Sequence, residues 1–328
     1  MRIAEILLER PPHRFWRMLK QIGVDDAVGV LPRYLADWRG AEGEPAWAYV
    51  PLALYSEQVR ESGFSLLVIE DNPPMDALRL GLPGRDDELT AVCALIRNMG
   101  RLGIGAWCYN WMPVIGWTRT NVGVPSRGGA LVPAFDEAVV ADSADALGIV
   151  VSAEQLWESL AWFLERVIPV AEEAGVILAM HPDDPPLPSL RGIPRIMSTI
   201  EGFERLLTLN SSRHNAITLC QGNFTLMTPD LPSIIRRFAD RIAFVHFRDV
   251  RGTPEKFVET FVDDGQTNMA ECMRAYAEVG FFGPARSDHV PLLDGDRADV
   301  AGYSHLARLH AVGYMAGLRD AYYGNAVG

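Results

Sequence analysis

Val176-Ile177-Leu178-Ala179-Met180-His181 is a short apolar run that ends on an imidazole, and the pattern recurs down the second half of the chain. Residues 216–219 run into Cys220, residues 242–245 into His246, and residues 281–285 into Arg286-Ser287-Asp288. Helix-forming stretches separate these runs, so each unit reads as strand, ligand, helix. In a barrel of parallel strands with a helix after each, the strand C-termini all open on one face. Two imidazoles, a thiolate and a carboxylate delivered there would surround one transition-metal ion. A lone His or Cys at a strand end is more often a structural hydrogen bonder or a small core residue. The fourfold recurrence is what favours a metal centre, and with it an enzyme.

The alternation extends towards the N-terminus. Strands are expected at 2–7, 27–31, 64–69 and 105–109, then at 176–181, 216–220, 241–246 and 280–286. The clearest helices fall at 86–102, 152–174, 201–209, 268–279 and 303–318. Ser152-Ala153-Glu154-Gln155 has the form of a capping box. Gly63, Gly103, Gly175 and Gly280 each stand between a helical run and a strand, where a left-handed cap is expected. Eight such units predict an α/β fold, a single (β/α)8 TIM barrel spanning residues 1–328. The long stretch 110–150, after the fourth strand, carries Gly and Pro but also Trp111, Trp117 and Phe135. It is expected to be irregular and to act as a lid over the ligand face, because disordered insertions tend to lack aromatics.

Composition narrows the classes of function. The chain has 328 residues, 48% hydrophobic and 22% charged, ample for a large core. The formal net charge of −12 and the absence of a dense basic run argue against nucleic-acid or anionic-membrane partners. No run approaches the roughly 20 apolar residues of a membrane span, and the N-terminal apolar stretch is too short and interrupted for a signal peptide. Cys93, Cys108, Cys220 and Cys272 are widely spaced, as expected for reduced thiols in the cytoplasm. An anionic small substrate stays open, since it needs only a few placed arginines.

The ligand mix is too soft for calcium or an all-oxygen magnesium site, and zinc, iron(II) and manganese(II) each fit in part. His289 is a candidate fifth ligand or a substrate-facing group. Asp183 and Asp184 follow His181 in a proline-stiffened loop, and Arg119 is available to meet a carboxylate. His13, His214, His305 and His310 lack strand-end placement and read as surface or core residues.

Residues 180–186, 219–222, 245–249, 283–289 and Gly302-Tyr303 resemble the conserved blocks of the mannonate dehydratases, as does Cys108-Tyr109-Asn110-Trp111-Met112-Pro113 with Trp117-Thr118-Arg119-Thr120. The similarity runs from about residue 70 to residue 318. It implies a TIM barrel, commonly dimeric or a higher homo-oligomer, that uses Mn2+ or Fe2+ to dehydrate D-mannonate to 2-keto-3-deoxy-D-gluconate. It places metal ligands on His181, Cys220, His246 and Asp288, and catalytic groups on Arg286 and Tyr303, with His289 beside them. Asp183, Arg119 and Asn110 are the expected substrate-binding groups. Tyr303 beside Arg286 is expected to have a lowered pKa. Arg286-Ser287-Asp288-His289-Val290-Pro291 and Gln221 depart from the family's usual residues, and these changes bear on the substrate rather than on the fold. Two other readings keep the barrel: a xylose-isomerase-like sugar isomerase or epimerase, against which the Cys ligand argues, and a non-catalytic sugar-acid-binding barrel.

Overall fold

Eight parallel strands close on themselves in sequence order. They are β1 (Arg2–Leu7), β2 (Asp26–Gly29), β3 (Ser65–Glu70), β4 (Ala106–Asn110), β5 (Ile177–His181), β6 (Asn215–Cys220), β7 (Ile242–Phe247) and β8 (Pro284–Ser287). The helices that follow them in turn are α1 (Arg14–Gln21), α2 (Tyr49–Glu61), α3 (Arg85–Arg101), α4 (Ala153–Ala174), α5 (Ile200–Leu209), α6 (Leu231–Arg237), α7 (Met269–Glu278) and α8 (His305–Tyr323). The first and last strands pair, Ile3 with Ala285 and Ala4 with Arg286, which shuts the barrel. The structure is a computed structural model, and it describes residues 1–35, 43–141, 148–296 and 300–324.

The two-residue period of a strand sorts side chains between two cores. Leu178, Met180, Ile217, Leu219, Val245 and Ala285 face outward into the layer beneath the helices. Ala4, Val28, Ala106, Ala179 and Phe244 face inward, where small side chains fill the barrel. The inward parity that places Ala179 and Phe244 inside also places His181 and His246 inside, two residues further on. Residue choice on the strands thus aims these two imidazoles before any loop contributes.

The helix boundaries follow local chemistry. Ser152 Oγ accepts from the Gln155 amide while the Gln155 side chain accepts from the Ser152 amide, a reciprocal cap at the start of α4. At its end Gly175 takes φ 69°, a left-handed turn that lets its N–H reach the last carbonyls. Gly63, Gly103 and Gly280 occupy equivalent junctions, also at positive φ. The last helix starts two residues later than expected, at His305, so Tyr303 belongs to the loop that follows β8.

The stretch 110–150 corrects the expectation of an irregular loop. It contains two antiparallel strands, Asn121–Pro125 and Leu131–Asp136. They form a four-stranded sheet with Val250–Thr253 and Lys256–Glu259 from the loop after β7. Phe135 packs at a tilt against Phe257, 5.8 Å between ring centroids, and Leu187, Leu190 and Val250 complete a small core. The glycines and prolines hid this cap, and its pairing partner lies more than a hundred residues away in sequence. The part of the expected lid at 142–147 falls outside the described residues.

Candidate metal centre and active site

Strand register sets the ligands in line. Asn110 pairs with His181 across β4 and β5, and Cys220 pairs with His246, which pairs with Arg286, across β6, β7 and β8. His181 Nδ1 faces its neighbour's carbonyl, Pro182 O, at 2.7 Å, so Nδ1–H donates there and Nε2 is left for the cluster. That Nε2 lies 3.2 Å from His246 Nδ1. Single ligand atoms of His181, Cys220 and His246 all lie within 4.8 Å of one another. Asp288, just beyond β8, brings Oδ2 to 3.5 Å from His246 Nδ1 and 4.0 Å from Cys220 Sγ. The four ligands expected from sequence are therefore brought together.

The electrostatics suit a cation. Burial pushes the Cys220 thiol up, but the Arg248 guanidinium, with Nε 3.2 Å from Sγ, and the two imidazoles outweigh it and hold the thiol well below its usual range. Burial likewise opposes ionisation of Asp288, yet His289, Arg286 and His246 hold its carboxyl well below the usual carboxylate range. Burial and Arg286 push His246 down, while Glu70 and Asp288 raise it well above its ordinary value. A thiolate and a carboxylate thus face two imidazoles, and a divalent cation would take the place of the proton His246 holds. This N, S, N, O donor set fits Mn2+, Fe2+ or Zn2+.

Beside the cluster lies a cavity of about 310 Å3, at the small end of ligand pockets. His181, His246, Arg286, Asp288, His289 and Tyr303 line it, together with Glu70, Asn110, Asp184 and Trp117. Tyr303 Oη donates to Asp288 Oδ1 at 2.8 Å. Its pKa runs opposite to expectation: burial and the Asp288 carboxylate raise it beyond the pull of Arg286, so the phenol keeps its proton. Arg286 donates from Nε and Nη2 to Glu70 at 2.7 and 2.6 Å, and from Nη1 to the Ser287 carbonyl and Asp288. These bonds engage four of its five N–H groups. His289 Nδ1 lies 3.1 Å from Glu259 and contacts Arg248.

Two expected substrate-binding groups are placed elsewhere. Asp183 is fully buried away from the cavity, accepting from the Met197 amide at 2.7 Å and facing Arg195. Burial pushes its carboxyl up to about 6. Its neighbour Asp184 lines the cavity instead. Arg119 is committed to Asp184 and Glu259, with a side chain only 1% exposed, so a substrate carboxylate would have to displace an acid to reach it. Asn110 does line the cavity, with Oδ1 accepting from Arg79 and the Met112 amide.

Sequence reasoning missed Glu70, Arg248 and Glu259. Arg248 is fully buried and binds Cys220, Glu259, Asp184 and Asn223. Glu70 ends β3 as His181 ends β5, so a strand-end rule that admitted acids in the first half of the chain would have found it. Nothing local marks Glu259. Away from this site, Glu9, His13 and His305 also approach one another. There His13 Nδ1 accepts from the Phe15 amide while Glu9 serves Arg308 and Trp16, which reads as a bonding network.

A sequence profile of the D-mannonate dehydratase family matches residues 17–149 and 145–326. The mannonate dehydratase of Shouchella clausii is 35% identical over 340 residues, covering 93% of this chain and 92% of the relative. That of Thermotoga neapolitana is 35% identical over 341 residues, covering 92% of each. The crystal structure of mannonate dehydratase from Streptococcus suis superposes with a TM-score of 0.86 at 30% identity, over 98% of this chain and 93% of that one. The fold alone is shared with 3-keto-D-glucoside 4-epimerase from E. coli, at a TM-score of 0.63 and 12% identity, over 97% of this chain and 99% of that one.

Proposed function

This chain belongs to the D-mannonate dehydratase family of hydro-lyases, and on that premise we propose that it dehydrates D-mannonate or a related aldonic acid in a metal-dependent reaction. The product is the 2-keto-3-deoxy acid. The observation that carries the reading is the convergence of His181, Cys220, His246 and Asp288 beside a cavity that also holds His289 and Tyr303. The membership displaces the isomerase and the non-catalytic readings, and the sugar-epimerase likeness is one of fold.

The reaction breaks the C2–H and C3–O bonds, forms a C2=C3 enol, releases water and rearranges to the ketone. The C2 proton is hard to remove, because the adjoining carboxylate is already anionic. His181, Cys220, His246 and Asp288 would hold Mn2+ or Fe2+, which supplies Lewis-acid stabilisation to the charge that develops next to C2. His289 stands in the cavity wall with Glu259 and the Arg248 guanidinium at Nδ1 and Asp288 Oδ1 3.5 Å from Nε2, and it is the candidate to take the C2 proton. Tyr303 keeps its proton and is suited to give it to the departing C3 hydroxyl. Arg286 contributes positive charge in the cavity wall and one remaining N–H, while Asn110 offers a polar contact at the rim.

Trp117, in the segment that leads from β4 into the cap sheet, lines the cavity, and the cap acts in this reading as the lid. A homodimer or larger homo-oligomer and a cytoplasmic setting complete it. The first rests on the resemblance, and the second on four cysteines that are free and buried. Incubating the purified chain with sugar acids and Mn2+, and following 2-keto acid formation, tests the reaction. D-mannonate should give product, and Cys220→Ser should lose most of both metal and turnover. No keto product from any aldonic acid would refute the dehydratase reading; product from another acid alone would change the substrate name.

A further inference from the structure

We infer that Glu70 is a positioning residue for this reaction: one carboxylate, at the end of β3, holds Arg286 in the cavity wall and fixes which nitrogen of His246 faces the ligand cluster. The inference rests on the reading of His181, Cys220, His246 and Asp288 as a metal site.

The argument starts from the ring of His246. Its Nδ1 points at the cluster, 3.2 Å from His181 Nε2 and 3.5 Å from Asp288 Oδ2. Its Nε2 points the other way, 3.2 Å from Glu70 Oε1. A neutral imidazole carries one proton, and the nitrogen that binds a cation must be the bare one. With Nδ1 facing the cluster, the proton belongs on Nε2, and an acceptor is needed there. That Nε2 is a buried polar atom, and its contact with Glu70 is an ion pair whose angle falls short of a formed hydrogen bond. Cys108 also neighbours the pair, but a thiol is a weak acceptor, and its sulfur already takes the Thr218 hydroxyl. Glu70 is the group whose charge can hold the proton on the far side of the ring.

The same carboxylate grips Arg286. Oε2 accepts from Nε at 2.7 Å and Oε1 from Nη2 at 2.6 Å, a two-point fork that sets the plane of the guanidinium. Asp288 and the Ser287 carbonyl take Nη1 on the opposite side. Arg286 therefore lies between a ligand carboxylate and Glu70, and its orientation depends on both. The side chain of Glu70 is 18% exposed and lines the cavity, so it is not simply core.

Two variants separate the two duties. In Glu70→Gln the amide oxygen can still accept from His246, but the NH2 group opposes Arg286 and the fork is lost. This near-isosteric variant should keep the wild-type melting temperature and manganese affinity, while turnover falls roughly 10–100-fold, the range for groups that orient a metal site from behind. In Glu70→Ala both contacts go, and the manganese dissociation constant, read by chelator competition, should rise roughly 10–100-fold. Wild-type manganese affinity in Glu70→Ala, or turnover within about twofold of wild type in Glu70→Gln, would overturn the inference. The affinity measurement needs no substrate, so it decides the matter whichever sugar acid is turned over. A wild-type chain that bound none of manganese, iron(II) and zinc would instead refute the metal-site reading on which the inference stands.

Discussion

At His289 the backbone turns to φ 37°, a left-handed conformation uncommon for any residue with a side chain. Such a turn costs on the order of 1–3 kcal/mol and persists only where its surroundings hold it. Gly302 packs against it so closely that a Cβ there would sit 3.3 Å from His289 Cα. The next residue, Tyr303, donates to Asp288, so the proposed base, acid and ligand are tied within one small neighbourhood. Tyr303→Phe removes one hydroxyl from it. Turnover should fall roughly 100-fold if the phenol gives the proton, and stability should fall by about 0.5–1.5 kcal/mol for the lost bond. Metal content should be unchanged; near-normal turnover in this variant would remove Tyr303 from the mechanism. The convergence of the four candidate metal ligands was legible in the sequence because each follows an apolar run at or just beyond a strand end. Glu70 and Arg248 were not, because a single acid or arginine in sequence looks like surface charge. Only folding brings Glu70 to Arg286, 216 positions away.

The cap shows what a paired element conceals from sequence reading. Its strands carry Pro125 and Pro133, residues that argue against a strand until the edge positions and partners are known. By contrast the barrel strands and the capping box of α4 announce themselves locally. The cap is clamped to the barrel by Arg119 and Arg248, which share Asp184 and Glu259. Burial opposes the charge on both acids, but the two arginines hold their pKa values below the ordinary range. Acids depressed on folding contribute stability above their unfolded values, and that contribution is lost as pH falls through the folded ones. The clamp should therefore be intact at neutral pH and begin to loosen below about pH 4. Proteolysis of the cap, or the fluorescence of Trp117, followed from pH 7 down to about pH 3, should change before the far-UV signal of the barrel. Cap and barrel giving way together would show that this clamp is no separate unit.

At the scale of the molecule, four successive strands each end on or just before one candidate ligand, so a bound cation would fasten half of the barrel wall. Mn2+ at about 100 times its dissociation constant should stabilise the fold by about 2.7 kcal/mol, seen as a rise in Tm that a chelator reverses. A Tm indifferent to both would mean that no cation binds the folded chain in preference to the unfolded one. The sequential strand order and the closing of β1 on β8 were foreseeable from eight alternating units, but the register of that contact was not, since nothing in Ile3 or Ala285 names the other. That contact also bears on how the chain is made. Synthesis delivers roughly 5–20 residues per second, so His181 leaves the ribosome several seconds before Asp288 does. During that interval the nascent chain gains His181, Cys220 and His246 in turn but not Asp288, and β1 waits without its second neighbour. Capture of an ion by all four candidate ligands would therefore wait for nearly the whole chain, and a chain broken off before β8 would lack both the closed barrel and Asp288.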